Sequence, residues 1–191
     1  KNPDYVEAHY SLANIHQDLG QYDLVIEHSE KVISLRPELA EAYNLIGLGF
    51  YELGRLKDAL LAFKKAVDIN PVYSEAYNNL GNTFKALEDP KQAVECYEKA
   101  IKINPDYPAL HNNLGNAFKD LRRLDDALIA FKDALKHNPD FHESLNSLGV
   151  TLFETGEHAE AIRVLKKAIK VKPDFIDTYL NLSEILKQTN Q

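Results

Sequence analysis

Seven histidines and one cysteine are the side chains of this 191-residue chain best suited to binding a metal ion or acting as base or nucleophile. Their spacing points away from such chemistry. His28, His142 and His158 show no metal-ligand spacing with one another or with Cys96. Cys96 has no sequence-adjacent base to activate it and reads as an inert packing residue. Asp125-Asp126 falls where a helix begins, and acids are stabilised there by the helix dipole. Pairs such as Lys64-Lys65 and Lys166-Lys167 read as solvated outer faces. No phosphate-binding loop or nucleophile elbow occurs. The expectation is therefore no catalytic residue, no metal ligand and no cofactor.

A different chemistry is carried by asparagines. Asn78, Asn79 and Asn82 recur one period later as Asn112, Asn113 and Asn116, with outlying members at Asn14 and Asn181 and lysines nearby at Lys85 and Lys119. Each primary amide offers two donors and an acceptor. A column of them can match the backbone of an extended peptide without reading its sequence, each bond contributing about 0.5–1.5 kcal/mol net. Asparagine is also a poor residue for a helix interior, by roughly 0.5 kcal/mol against alanine.

The elements that hold these amides follow from a repeat. Prolines stand at Pro3, Pro37, Pro71, Pro105, Pro139 and Pro173, always 34 residues apart, and only Pro90 and Pro108 fall outside the series. A fixed period of this length marks a repeat array. With the boundary proline at position 32, full repeats occupy 6–39, 40–73, 74–107, 108–141 and 142–175. Residues 1–5 are the tail of an earlier repeat. Residues 176–191 form a capping helix or the first helix of a sixth repeat.

Positions 4, 7, 8 and 11 share one helical face, read as Tyr43-Ile46-Gly47-Phe50, then Tyr77-Leu80-Gly81-Phe84, then His111-Leu114-Gly115-Phe118. This is helix A, and the small residue at position 8 lets a neighbouring helix come close. Positions 20, 24 and 27 form helix B, with Ala59-Phe63-Ala66 repeated as Ala93-Tyr97-Ala100, Ala127-Phe131-Ala134 and Ala161-Leu165-Ala168. His9 and His16 then fall at core positions 4 and 11, and His111 at position 4, standing in for aromatic packing residues. His137 replaces an aliphatic residue at position 30 and is expected half-buried. Gly20, Gly54 and Gly156 end helix A. Asp89-Pro90 reads as an N-cap followed by the first helical residue, Pro108 opens a helix A, and Asn-Pro at 70–71, 104–105 and 138–139 stops helix B. One hairpin of this size cannot bury enough surface alone, so stacking supplies the core.

Positions 2, 6, 9 and 13 of helix A lie roughly 140–200° from the core set and face away from it, with the asparagines among them. Position 2 is acidic at Glu7, Glu41, Glu75, Glu143 and Asp177. With a net charge of −7, this argues for a basic or neutral peptide partner and against nucleic acid or an anionic membrane surface. Apolar runs are too short to span a membrane. Lys1-Asn2-Pro3-Asp4 carries neither an initiator Met nor a signal-peptide stretch, so the chain reads as a piece of something longer. A single cysteine allows no internal disulfide and points to a reducing, cytoplasmic setting.

The repeat length and positions 7, 8, 20, 27 and 32 resemble the tetratricopeptide repeat family over essentially the whole chain. The resemblance implies an all-α, right-handed superhelical solenoid of antiparallel hairpins, and a concave groove lined by helix A. It implies a protein-interaction scaffold that holds a peptide or protein segment and performs no catalysis. In the first repeat, His9, Ala13, His16, Val25 and Ser29 depart from the family core, so that repeat is expected to be the loosest packed. Glu88 and Arg122 replace the usual glycine at position 15. A carboxylate-gripping groove of the chaperone-adaptor kind is not implied: Asn82 and Asn113 match it, but Asn78, Glu143 and Ser147 occupy its cationic places. The asparagine-lined face is also similar to the repeat arm of protein O-linked N-acetylglucosamine transferases. That likeness implies an alternative, a substrate-recruiting arm of a larger enzyme. The end helices, left unpaired on one side, offer a route to self-association.

Overall fold

A computed structural model describes residues 4–189, and among them lie eleven α-helices and no strand. The chain divides into two compact units, residues 1–103 and 104–191. In the first, α1 (Asp4–Asp18), α2 (Tyr22–Leu35), α3 (Ala40–Glu52), α4 (Leu56–Ile69), α5 (Ser74–Ala86) and α6 (Pro90–Ile103) form three hairpins. In the second, α7 (Pro108–Asp120), α8 (Leu124–His137), α9 (His142–Glu154) and α10 (His158–Val171) form two hairpins, and α11 (Ile176–Gln188) packs on α10. Within each unit every odd helix also touches the next odd helix, whereas even helices do not touch one another. The odd helices, the expected helix A set, thus form a continuous row in each unit. Residues 1–3 of the expected tail and the last two residues of the expected end helix lie outside the described residues. Asp4 and Tyr5, expected in that tail, are the first residues of α1.

A repeated close approach holds four of the five hairpins shut. A Cβ added at Gly47, Gly81, Gly115 or Gly149 would stand 2.7, 2.6, 2.5 or 2.6 Å from Phe63, Tyr97, Phe131 or Leu165. Those four side chains, at position 24 of helix B, are completely buried. Each contributes about 1.5–3 kcal/mol by leaving water, and only a residue without a side chain lets it lie so close to helix A. The first hairpin lacks this device. Ala13 replaces the glycine and Ser29 the ring, both are buried, and the Ser29 hydroxyl has no hydrogen-bond partner.

Helix A ends the same way five times. Gly20, Gly54, Glu88, Arg122 and Gly156 all have positive φ, between 59° and 92°. The following N–H reaches back five residues, as in Gln21 N to His16 O (2.8 Å) and Asp89 N to Phe84 O (2.9 Å). This bond satisfies a carbonyl that the helix leaves open. Glu88 and Arg122 adopt the left-handed conformation despite having a side chain, so the turn is imposed by the hairpin and not by the residue. Helix B starts and stops as the sequence predicts. Asp89 Oδ1 accepts from Gln92 N at 3.2 Å ahead of Pro90, while Asn70 and Asn138 Oδ1 accept from Val72 N and Asp140 N at 3.2 and 3.1 Å across the boundary prolines. The longest helix has 15 residues, and no described helix is long and apolar enough to cross a membrane.

Candidate peptide-binding faces

In the first unit, Asn79 and Asn82 come together. With Leu48, Tyr51, Glu52 and Phe63 they line a pocket of about 80 Å³ on the helix A side, between α3 and α5. That is room for a small side chain or a couple of waters. Buried Phe63 and half-buried Leu48 give it apolar lining, the two amides hydrogen-bonding groups and exposed Glu52 a carboxylate. Neither amide is a bare ligand contact. Asn79 Nδ2 donates to Asn44 Oδ1 (3.0 Å), and Asn82 Oδ1 accepts from the Tyr97 hydroxyl (2.7 Å). The second bond satisfies the phenol of a side chain that is otherwise sealed in the core, so Asn82 joins the groove to the hairpin's interior. Each amide keeps at least one further N–H for a ligand.

Asn44 explains how the row is held. It is 3% exposed, accepts from Asn79 of the next hairpin, and donates through Nδ2 to Glu75 Oε1 at 3.0 Å. Glu75 is thus held at the mouth of the face by an amide. Tyr73 lies alongside, its phenol pushed well up from the ordinary tyrosine range, first by burial and then by the Glu75, Tyr10 and Glu41 charges. Carboxylates therefore converge on the helix A face of this unit, though the outermost, Glu7, is paired with Arg36 at 3.3 Å. Asn78 and Lys85 are half-buried on α5. Asn14 is half-buried on α1, where its Nδ2 donates to the Tyr10 carbonyl of the same helix at 2.8 Å.

In the second unit, Asn113 and Asn116 are half-buried on α7, and Ser147 Oγ donates to Asn116 Oδ1 at 3.5 Å. Asn112, expected among the peptide-binding amides, is buried at 8% exposure and accepts from Ser144 Oγ at 2.9 Å. It ties α7 to α9 and presents little to a ligand. Asn181 Nδ2 donates to Asn146 Oδ1 at 3.0 Å, the same position 6 to position 5 joint as Asn79 and Asn44. Lys119 forms an ion pair with Glu154 at 3.2 Å, which Arg122 shares at 3.5 Å.

Four lining residues, Leu48, Tyr51, Glu52 and Phe63, were not among the expected site residues. Tyr51 and Glu52 follow Leu48 by three and four residues, which puts them on its face, and that spacing is legible in the sequence. The histidines behave as packing groups in the second unit. His111 Nε2 meets the Pro105 carbonyl at 2.7 Å, and its ring stacks on His137, whose side chain is 31% exposed. In the first unit, His28 lies between His9 and His16, an arrangement that linear spacing did not show. Among the described residues no group of three or more His, Cys, Asp or Glu side chains is placed to hold a metal ion. Cys96 is buried, and burial pushes its thiol up to about 11.

Models of one family, described as tetratricopeptide repeat, match residues 6–39, 49–88, 74–107, 96–129 and 114–174. No curated protein matches the chain. Among solved structures, the fold is shared with a crystal structure of MamA protein at 23% identity and TM-score 0.78, over 90% of this chain and 94% of that one. It is also shared with YrrB, described as a TPR protein with an unusual peptide-binding site, at 22% identity and TM-score 0.75, covering 94% of this chain and 90% of that one. A thermophilic TPR protein of Thermus thermophilus, TTC0263, matches at 24% identity and TM-score 0.74, over 95% of this chain and 98% of that one.

Proposed function

Because this chain belongs to the tetratricopeptide repeat family, we propose that it is a protein-interaction scaffold whose helix A faces hold peptide or protein segments without catalysis. The unit of the proposal is the hairpin drawn from the proline period, five of them between residues 6 and 175. A cytoplasmic setting suits its one buried thiol.

The observation that carries the reading is the pocket of Leu48, Tyr51, Glu52, Phe63, Asn79 and Asn82. It combines an apolar floor, amide donors for a peptide carbonyl and a carboxylate at the rim, as a site for one side chain and its flanking backbone requires. Glu41, Glu52 and Glu75 on the same side of the unit select a basic or neutral segment over an acidic one. Charge selection at an exposed rim acts on encounter and weakens with salt.

The structure also decides how to test this. Replacing Asn79 or Asn82 would break the bonds to Asn44 and Tyr97 and so confound binding with stability. Leu48→Arg fills the pocket and Glu52→Lys reverses its rim, neither touching those bonds. Fluorescence polarisation with Lys-rich, Ser/Gly-rich and Glu-rich peptides at low and high salt should rank them in that order, the first falling as salt rises. Both variants should weaken the Lys-rich peptide at least about tenfold, or 1.4 kcal/mol. Equal binding of Lys-rich and Glu-rich peptides at low salt would remove the charge preference. Binding unchanged in both variants would remove the pocket as the site.

A further inference from the structure

The first hairpin has a composition the others lack. Position 4 is Tyr43, Tyr77, His111 and Leu145 in the later full repeats, position 11 is Phe50, Phe84, Phe118 and Leu152, and position 23 is Ala62, Cys96, Ala130 and Val164. In the first hairpin all three are histidine: His9, His16 and His28. The fold brings them together across α1 and α2. His9 Nδ1 and His28 Nδ1 are 2.9 Å apart, and the His16 ring lies parallel to that of His28, 9° between planes and 5.3 Å between centroids. His16 Nδ1 is itself fixed 2.6 Å from Gln21 Oε1. All three rings are only half-buried, so an ion and water can reach them.

We propose that His9 and His28 form a two-histidine site for a first-row divalent metal ion, with Cu(II) the preferred occupant and water completing the coordination. Imidazole is a ligand for copper, nickel and zinc, and copper stands highest in the divalent series. The geometry agrees. At a metal–nitrogen distance of about 2.0–2.1 Å, two nitrogens 2.9 Å apart subtend roughly 90° at the ion. That is the cis angle of a tetragonal or octahedral ion, whereas a tetrahedral one would require about 3.3 Å between them. At this distance one Nδ1 donates its hydrogen to the other, so the ion would take the place of that hydrogen, the donor ring keeping its proton on Nε2 or releasing it, and both rings would turn slightly about their soft terminal torsions to aim their lone pairs at it. Burial, and then the His9 and His16 rings, hold the His28 imidazole below its ordinary range, against the pull of Glu27.

The site would serve the hairpin that holds it. Where the other hairpins close a glycine on a large apolar side chain, this one has Ala13 and the unpartnered Ser29 hydroxyl. An ion bridging α1 and α2 would supply the missing cross-link, and binding to the folded state alone raises stability by mass action.

The experiment uses the full chain, stripped with chelator and titrated with CuSO4, NiCl2 or ZnCl2 at pH 7.5 in a non-coordinating buffer. Calorimetry should show one Cu(II) per chain, and its EPR spectrum should carry the coupling of two imidazole nitrogens. The melting temperature should rise with copper. His9→Tyr and His28→Ala introduce the residues that the second hairpin already has at these positions, so the fold tolerates them. Each should weaken Cu(II) by at least about tenfold, since even outer-shell changes cost that much at metal sites. His111→Tyr, in the other unit, should leave binding intact. No saturable Cu(II) binding would overturn the proposal, as would binding that survives both His9→Tyr and His28→Ala.

Discussion

Gly81→Ala tests the closure on which the hairpins and the pocket both depend. The added Cβ would lie 2.6, 2.9 and 3.0 Å from Cε1, Cδ1 and Cζ of Tyr97, where carbon atoms settle at about 3.5–4.0 Å. The ring cannot turn aside, because it is fully buried and its hydroxyl is bound to Asn82. Overpacking of this kind costs about 1–3 kcal/mol. Displacing the ring also weakens the bond to Asn82, worth about 0.5–1.5 kcal/mol. Alanine returns about 1 kcal/mol as the better helix former. The clash wins, and the variant should lose about 1–3 kcal/mol. At about 2–4 °C per kcal/mol for a chain of this size, the midpoint falls by a few to about ten degrees. Thermal and urea melts followed by circular dichroism measure it. Gly54→Ala is the control, since its Cβ meets nothing within 4 Å and costs only the left-handed φ of 73°, about 1–2 kcal/mol. In a Tyr97→Ser background, itself destabilised by the lost ring, adding Gly81→Ala should cost little further, because the first hairpin already pairs Ala13 with Ser29. A Gly81→Ala chain that melts at or above the parent would refute the reasoning. Peptide affinity should fall with stability, since Asn82 moves with the ring.

Glu88→Gly should stabilise by about 0.5–1 kcal/mol by relieving a φ of 61° at the end of α5; a lower melting temperature would show that the Glu88 side chain contributes more than its strain costs. Cys96, buried and with its thiol pushed up to about 11, should react with a disulfide reagent at pH 8 only as fast as the chain opens, and rapid labelling of the native protein would contradict that. His28 takes a proton more readily in the unfolded chain than in the fold, so its contribution to stability is present above about pH 6.5 and is lost as pH falls through the lowered native value. Thermal melts of the metal-free chain should therefore drop from pH 7.5 to pH 5, and His28→Ala should flatten the profile; equal slopes would exclude this group as the cause.

The repeat was legible because its constraints are local and recur. The proline period marks where each helix B stops, and the glycine at position 8 announces the ring that lies on it. The candidate site was legible only in part. Asn44 and Asn112 stand at position 5, about 100° round the helix from the core residue at position 4 and so at the edge of the outward face, yet both are buried. Their exposure depends on how far one hairpin is turned and shifted against the next, and no angle within a single helix contains that. The same applies to His28, which meets His9 across a turn, 19 residues away. Lys119 reads as a free cation until Glu154, one hairpin on, is seen beside it. Glu88 and Arg122 read as departures from a glycine rule, yet keep the same turn.

The amide joints have a consequence for how such a chain can grow. Asn44 receives Asn79, and Asn146 receives Asn181, each pair 35 residues apart, one repeat plus one residue. The third and fourth hairpins carry asparagine at both positions, Asn78-Asn79 and Asn112-Asn113. A tandem copy of either arrives with the socket for its successor and the plug for its predecessor. Lengthening by duplication then needs no second mutation to make the new junction fit. A hairpin with serine at position 6, such as the fifth with Ser147, lacks the plug and would have to acquire it after copying.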